Sequence, residues 1–301
     1  MYEYIVGVDA GGTKTNARLY DRTGEELFNA NEGVGNMLVD RAAALANVRK
    51  AVSSCLERVP THKETAVFVG AAGVMAGTNR QDMRLFLRES FPHCVIEVET
   101  DGCLAIYAKL RGGDGILVVS GTGSIAYGKL GGKLERAGGW GHLLEEEGSG
   151  YAIAVGALAR IMRETDHSIP YSACSTSLLR HLGADVFGVV NFVYNHTKSE
   201  IASLTKLVVA AADDGDEKAA GLLRVAGRRL AELAETVYRK TGFCGVAPIV
   251  VSGGVLENIP LVRSTFEAAL DVSRFLPVRE SSPAAMGAYY YFERSPCRHE
   301  S

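Results

Sequence analysis

Residues 5–27 read IVGVDAGGTKTNARLYDRTGEEL, and this stretch decides the fold. A run of apolar residues ends in Asp9, and residues 11–15 (Gly-Gly-Thr-Lys-Thr) separate it from a second run of strand-forming residues. Residues 21–24 (Asp-Arg-Thr-Gly) then predict a hairpin turn into a third run. The pattern therefore predicts three consecutive strands, at about 4–9, 15–20 and 25–31, with a glycine-rich turn at the tip of the first hairpin.

The composition is that of an ordinary globular protein. The chain has 301 residues, 47% of them apolar and 22% charged, and a formal net charge of −3. At roughly 100–200 residues per domain, this length predicts two domains. The charge favours neither nucleic acid nor an anionic membrane as a partner. The start lacks the basic segment of a signal peptide, and no apolar run is long enough for a transmembrane helix.

The cysteines also indicate a cytoplasmic protein. They are scattered, with no C-x-x-C pair and no zinc-site spacing, and this pattern favours reduced structural thiols. The six are Cys55, Cys94, Cys103, Cys174, Cys244 and Cys297.

The opening pattern returns in the second half of the chain. Residues 116–139, ILVVSGTGSIAYGKLGGKLERAGG, again predict three strands with a glycine turn in the first hairpin, and Gly121-Thr122 corresponds to Gly12-Thr13. After the first copy, a helix from about Asp40 is followed by a strand, a short helix and another strand. The sequence thus predicts an α/β protein built from duplicated β-β-β-α-β-α-β units.

The predicted domain boundaries follow from this duplication. The first domain spans residues 1–110 and the second 111–282, and a final helix, about 283–295, could pack back on the first domain. The second half is richer in helix, with predicted helices at 149–164, 200–213 and 217–240 and a strand at 247–254.

Both glycine turns could bind an anion, because glycine lets successive backbone amides approach a phosphate closely. The first turn is not a Walker A loop, since Thr13 separates Gly12 from Lys14 and a strand follows where that loop needs a helix. It also lacks the G-x-G-x-x-G of dinucleotide-binding folds. The alternative for each turn is a tight hairpin that simply requires glycine. Two such turns could instead clasp one polyphosphate.

Two aspartates follow predicted strands. Asp9 ends the first strand, where a buried carboxylate needs a partner such as Mg²⁺ or nearby backbone amides. Asp101 follows the strand at 94–99 and opens a predicted helix. An aspartate at such a position is usually the N-cap, but near phosphate turns it could be a general base.

Two further loops are candidates for ligand contacts. Residues 138–150, GGWGHLLEEEGSG, could hydrogen-bond a polyol, or their three carboxylates could simply favour a helix start through the macrodipole. Residues 250–254, VVSGG, end a late buried strand and could either lie against a flat base or form an ordinary strand-to-helix turn.

Five motifs in chain order resemble those of the N-acetylglucosamine kinase group of the actin/hexokinase/Hsp70 ATPase superfamily, a group that carries the BadF/BadG-type ATPase domain. They are DAGGTKT (9–15), TDG (100–102), SGTGS (120–124), GGWGH (138–142) and VSGG (251–254). The resemblance covers nearly the whole chain. It implies two ribonuclease-H-like domains with an ATP cleft between them, and phosphorylation of the primary (6-) hydroxyl of an amino sugar such as N-acetylglucosamine or glucosamine. It implies ATP, Mg²⁺ and a small-molecule sugar as ligands, and we also expect a homodimer.

The resemblance also implies site residues. Asp101 would be the general base, and Asp9 would lie near Mg²⁺. The nucleotide would contact Gly11, Gly12, Thr13, Lys14, Gly121, Thr122, Gly123, Gly253 and Gly254. The sugar would contact Asn36, Gly139, Trp140, Gly141 and Glu146. Glu146 departs from the family pattern, because it stands where the family has a sugar-binding aspartate, and this leaves the identity of the sugar open.

Three alternatives to this function are considered. A regulatory ATPase of the BadF/BadG activator type shares the ATP loops, but its dimeric members bind an iron–sulphur cluster through cysteines after the second loop, and here none lies between Cys103 and Cys174. A repressor with a kinase fold needs an N-terminal helix-turn-helix, whereas this chain begins at the first strand. A kinase for N-acetylmuramic acid or glucose is the third alternative.

Overall fold

The structure is a computed structural model, and it describes residues 2–60 and 63–294. Cys297 and the last residue of the predicted C-terminal helix, Ser295, lie outside the described residues. The chain divides after Asp114 and after Arg279 into two compact units. Unit 1 holds the residues up to Asp114 together with those from Glu280 onward, and unit 2 is Gly115–Arg279.

Unit 1 has the predicted order β-β-β-α-β-α-β, with one more helix after the last strand. Its elements are β1 Tyr4–Ala10, β2 Thr15–Asp21, β3 Glu26–Glu32, α1 Arg41–Leu56, β4 Thr65–Ala71, α2 Asn79–Ser90, β5 Cys94–Glu99 and α3 Asp101–Lys109. The strands form one sheet in the order β3-β2-β1-β4-β5. The two hairpin pairs are antiparallel, whereas β1, β4 and β5 run parallel.

The sheet of unit 1 is covered on both faces, because alternate residues of a strand point to opposite sides. On one face, Val6 and Val8 of β1 join the core that α1 completes. On the other face, Ile5 and Phe68 are buried against Leu104 of α3. Helix α1 begins where the sequence predicts, with the Asp40 carboxylate accepting a hydrogen bond from the Ala43 amide (2.9 Å) as its N-cap.

Unit 2 repeats this sheet with a helical insertion. Its elements are β6 Gly115–Ser120, β7 Ser124–Leu130, β8 Lys133–Gly138, α4 Gly150–Asp166, α5 Ala173–Leu182, α6 Val186–Asn195, α7 Lys198–Ser203, α8 Thr205–Asp213, α9 Glu217–Thr241, β9 Ala247–Ser252, α10 Gly254–Asn258, α11 Pro260–Ala269 and β10 Phe275–Pro277. The strand order is β10-β9-β6-β7-β8, which matches unit 1 strand for strand. The duplicated α/β architecture is therefore confirmed.

Several elements of unit 2 differ from the sequence prediction. The segment predicted as one helix at 200–213 forms two helices: α7 ends at Ser203 and α8 begins at Thr205. Helix α6 (VFGVVNFVYN) was not predicted, since its β-branched and aromatic residues favour a strand locally. Among the described residues, no helix has the length and apolar character needed to cross a membrane.

The last part of the chain packs on the sheet of unit 1. A 3₁₀ turn at Ala284–Met286 leads into α12 Gly287–Arg294, which contacts β1 and α3. The ring of Tyr291 lies edge-on to Phe68, with 4.7 Å between the centroids. The approach of the backbones requires glycine at Gly287, because a Cβ there would overlap the carbonyl oxygen of Leu104.

Gly287→Ala should destabilise unit 1. Alanine favours a helix over glycine by about 1 kcal/mol, but overpacking at this contact should cost about 1–3 kcal/mol and dominate. Urea unfolding at equilibrium measures the difference. The control is Gly221→Ala in α9, where a Cβ meets nothing within 4 Å and the exchange should stabilise. If both variants are stabilised equally, the close packing of α12 on α3 is wrong.

Candidate functional site

The first turn, residues 11–14 between β1 and β2, has a fixed backbone. The Gly11 amide donates to the Lys14 carbonyl (2.9 Å), and the Gly35 amide donates to the Gly11 carbonyl (2.9 Å). Within the described part of the chain, the amides of Gly12, Thr13 and Lys14 donate to no acceptor, and these residues are exposed. The turn thus offers successive free N–H groups, which is the geometry of an anion-binding nest.

The second turn, residues 121–123 between β6 and β7, is built in the same way. The Gly121 amide donates to the Gly123 carbonyl (2.9 Å), and the Gly150 amide at the start of α4 donates to the Gly121 carbonyl (2.8 Å). The Tyr151 amide donates to the Thr122 carbonyl (3.3 Å). In the described chain, the amides of Thr122 and Gly123 have no acceptor, so this turn also offers free N–H groups.

The hydrogen bonds align the two turns differently from the sequence. Gly11 is the counterpart of Gly121, because a later glycine amide binds the carbonyl of each, and the first turn is one residue longer. A Cβ would be crowded at both later glycines, more severely at Gly35 than at Gly150. A Cβ on Gly35 would lie 2.6 Å from the Thr15 hydroxyl oxygen, and a Cβ on Gly150 would lie 3.1 Å from the Gly121 carbonyl oxygen.

The turn after β9 packs against the base of the second turn. Gly253 has a φ of +95°, and a Cβ on it would lie 2.6 Å from the carbonyl carbon of Ser120. A Cβ on Gly121 would lie 3.8 Å from the amide nitrogen of Gly254. The structure therefore brings Gly253 and Gly254 together with the second turn, as the resemblance implies for one side of a nucleotide site.

Asp9 and Asp101 lie at one edge of the sheet of unit 1, where the parallel strands β1 and β5 end. Burial raises the pKa of both carboxyl groups. The charge of Asp101 raises the pKa of Asp9 further, and the Lys14 ammonium acts in the opposite direction. Buried carboxyl groups with raised pKa values are candidates for a functional site.

Asp101 is not the N-cap of α3, so the N-cap alternative is wrong. Thr100 holds that position, and its hydroxyl accepts a hydrogen bond from the Cys103 amide (3.1 Å). Asp101 is the first residue of the helix, where one of its carboxylate oxygens accepts from the Gly102 amide (2.8 Å). Threonine and aspartate are both common N-caps, and the backbone conformation shows which of the two holds the position.

The Asp9 carboxylate suits Mg²⁺ in a nucleotide site. No donor in the described chain binds it, and groups of three or more acidic, His or Cys side chains that could hold a metal alone are absent from the same residues. Mg²⁺ usually takes one or two carboxylates and completes its shell with waters and substrate phosphates. Asp9 beside the first turn fits that ligand set.

Asn36 offers one free donor group. Its side-chain oxygen accepts from the Leu38 amide (2.8 Å), and a Cβ on Gly73 would lie 2.5 Å from that oxygen. The amide nitrogen Nδ2 therefore points away from this contact, and among the described residues it has no acceptor. A hydrogen-bond acceptor of a ligand, such as a sugar oxygen, could bind it.

The glycines around Trp140 shape a tight loop. Gly138, Gly139 and Gly141 have φ values of +71°, +69° and +97°, which other residues rarely adopt. The Trp140 ring stacks on the Arg136 guanidinium, 4.2 Å from the ring centroid, and remains 61% exposed. An exposed, fixed aromatic face of this kind can pack against a sugar ring.

Glu146 lies beside the second turn. A Cβ on Gly123 would be 2.8 Å from Glu146 Oε2, and this carboxylate forms an ion pair with Lys198. The alternative that the three glutamates merely start α4 is wrong, because Ser149 is the N-cap and the first turn of the helix has no acidic residue. Sequence reasoning missed Lys198, which belongs to none of the motifs.

The chain is similar to known ATPases and sugar kinases. The model of the BadF/BadG/BcrA/BcrD ATPase family matches residues 6–291. An N-acetylmuramic acid/N-acetylglucosamine kinase of Clostridium acetobutylicum is 27% identical over 279 residues, covering 90% of this chain and 91% of that protein. A glucosamine kinase of Vibrio cholerae is 23% identical over 257 residues, covering 85% and 86%. The crystal structure of a proposed N-acetylglucosamine kinase from Chromobacterium violaceum has a TM-score of 0.74 at 26% identity, covering 96% of this chain and 98% of that one.

Asp9→Asn should stabilise the protein at neutral pH. The folded-state pKa of Asp9 lies above its ordinary value, so ionisation costs folding free energy above that pKa, and the cost disappears below the unfolded-state pKa of about 3.9. Melting temperatures measured from about pH 8 downward should show a gain that shrinks as the pH falls.

The opposite sign is expected for Asp21→Asn. A hydrogen bond from the Thr23 hydroxyl lowers the pKa of Asp21, so its ionised form stabilises the fold and the exchange should lower the melting temperature at neutral pH. A loss of stability in Asp9→Asn at neutral pH would contradict the buried, unpaired carboxylate.

Proposed function

Because this chain belongs to the BadF/BadG/BcrA/BcrD ATPase family, we propose that it is an ATP-dependent sugar kinase acting on the 6-hydroxyl of an amino sugar. The observation that carries the proposal is the pair of equivalent turns with free amides, one in each unit, together with the buried Asp101. The kinase names of the relatives from Clostridium acetobutylicum and Vibrio cholerae support an amino sugar as the substrate.

In this proposal both turns bind the phosphates of ATP. The free amides of Gly12, Thr13 and Lys14 in the first turn, and of Thr122 and Gly123 in the second, donate hydrogen bonds to phosphate oxygens. Such bonds to a charged acceptor are the stronger kind. The remaining proposed nucleotide contacts are Gly11, Gly121, Gly253 and Gly254, which hold the turns in shape or line the adenosine side.

Asp9 is the residue proposed to hold Mg²⁺. When bound, the ion neutralises charge on the β- and γ-phosphates. Lys14 supplies a second positive charge next to Asp9, as its effect on the pKa of that carboxyl indicates.

Asp101 is proposed as the general base that takes the proton from the sugar hydroxyl. Burial raises the pKa of its carboxyl group above the ordinary value, which makes the carboxylate a stronger base. The proposed sugar contacts are the Nδ2 group of Asn36, the loop of Gly139, Trp140 and Gly141, and the free oxygen of Glu146. Phosphoryl transfer then relies on positioning and on neutralised charge.

Release of ADP across a panel of sugars tests the function. The panel is glucosamine, N-acetylglucosamine, N-acetylmuramic acid, N-acetylmannosamine and glucose, each with ATP and Mg²⁺. We expect at least one amino sugar to stimulate ADP release by more than about tenfold over ATP alone, with a phosphorylated sugar as the product. ATP hydrolysis that no sugar changes would overturn the kinase and favour the regulatory ATPase.

Asp101→Asn should remove most of the sugar-dependent activity and leave ATP affinity nearly unchanged. Loss of a general base typically lowers kcat by about 10²–10⁴-fold. The control is Asp40→Asn, the same exchange at the N-cap of α1, where asparagine caps as well as aspartate. If Asp101→Asn retains more than about a tenth of kcat, Asp101 is not the base.

A further inference from the structure

Lys198 places an ammonium group at the second turn. A Cβ on Gly123 would lie 2.9 Å from Lys198 Nζ and 2.8 Å from Glu146 Oε2, so both charged groups contact the turn. The Lys198 side chain is 27% exposed, whereas that of Glu146 is 9% exposed. Lys198 is therefore the more exposed partner of this ion pair.

The fold fixes the position of Lys198. It is the first residue of α7, which begins with a capping box: the Thr197 hydroxyl accepts from the Glu200 amide, and the Glu200 carboxylate accepts from the Thr197 amide (2.7 Å). Ile201 is buried, and α7 packs on α4, the helix whose first amide fastens the second turn. Helix α4 therefore contacts both the helix that carries Lys198 and the second turn.

The charges at the second turn would otherwise oppose an anion. The free amides of Thr122 and Gly123 carry only partial positive charge, and the buried carboxylate of Glu146 next to them would repel a phosphate. A lysine at this position neutralises the carboxylate and adds donors. The ion pair with Lys198 is made by the buried Oε2 of Glu146, and among the described residues no donor binds Oε1.

We propose that Lys198 is a phosphate ligand for the nucleotide, held at the second turn by Glu146 until ATP binds. The proposal rests on the proposed ATP site and adds to it a residue outside the motifs. On binding, the ammonium donates to a phosphate oxygen while staying close to Glu146. The competing explanation is that Lys198 only neutralises Glu146 and never contacts the nucleotide.

Calorimetric titration with ATP and with adenosine separates the two explanations. The proteins are the wild type, Lys198→Met, Lys198→Arg, Glu146→Gln and the double variant Lys198→Met/Glu146→Gln. We expect Lys198→Met to weaken ATP binding at least about tenfold, with adenosine binding unchanged. The same loss should appear in the Glu146→Gln background, Lys198→Arg should keep most of the affinity, and Glu146→Gln alone should bind ATP at least as tightly as the wild type.

Lys218→Met is the matched control. Lys218 also pairs with a buried carboxylate, that of Glu164 (3.4 Å), so its loss breaks a comparable ion pair, although Arg160 (3.6 Å) remains as a second cation beside Glu164. Glu164 lies fourteen residues along α4 from Gly150, about 21 Å at 1.5 Å per residue. We therefore expect a lower melting temperature in this variant but unchanged ATP affinity.

Two results would overturn the proposal. Recovery of wild-type ATP affinity in the double variant would mean that Lys198 only neutralises Glu146. Unchanged ATP affinity in Lys198→Met would remove Lys198 from the site. If the wild type binds ATP and phosphorylates a sugar, either result leaves the proposed kinase function intact. If the wild type binds no ATP, the proposed function is wrong as well.

Discussion

The structure depends on one hydrogen bond that occurs in each unit: a glycine amide, Gly35 or Gly150, binds the carbonyl of the first residue of a hairpin turn. With that carbonyl occupied, the following peptide units turn their N–H groups outward. Glycine suits both donors, because a Cβ on Gly35 would lie 2.6 Å from the Ala10 Cβ and a Cβ on Gly150 would lie 3.1 Å from the Gly121 carbonyl oxygen. The shape of each turn therefore also depends on a second segment, which is the loop after β3 in unit 1 and the start of α4 in unit 2.

Much of this architecture could be predicted from the sequence. Apolar runs ending in a carboxylate or a glycine turn, repeated in both halves, indicated the strands and their duplication, because buried parallel strands are continuously apolar. Helices with ordinary caps, such as α1 after Asp40, were also readable. Helix α6 was not, because its β-branched and aromatic residues favour a strand locally.

The site was predictable in its motifs but not in its pairings. Asp9, Asp101 and the turns stand out locally, since each breaks an apolar pattern. The ion pair of Lys198 with Glu146 joins two segments that only the packing of α7 on α4 brings together. The alignment of Gly11 with Gly121 could not be predicted either. The shared letters Gly-Thr align Gly12 with Gly121, whereas the hydrogen bonds make Gly11 the equivalent residue.

The return of the last helix to unit 1 has a consequence for synthesis on the ribosome. The face that holds Ile5, Phe68 and Leu104 is completed by Ala288, on the far side of the whole of unit 2 in the sequence. At roughly 5–20 residues per second, translation of unit 2 takes on the order of 10–30 s. During that interval α3 covers part of this face of the nascent sheet, and the part that α12 covers in the complete chain stays exposed to aggregation and to chaperones.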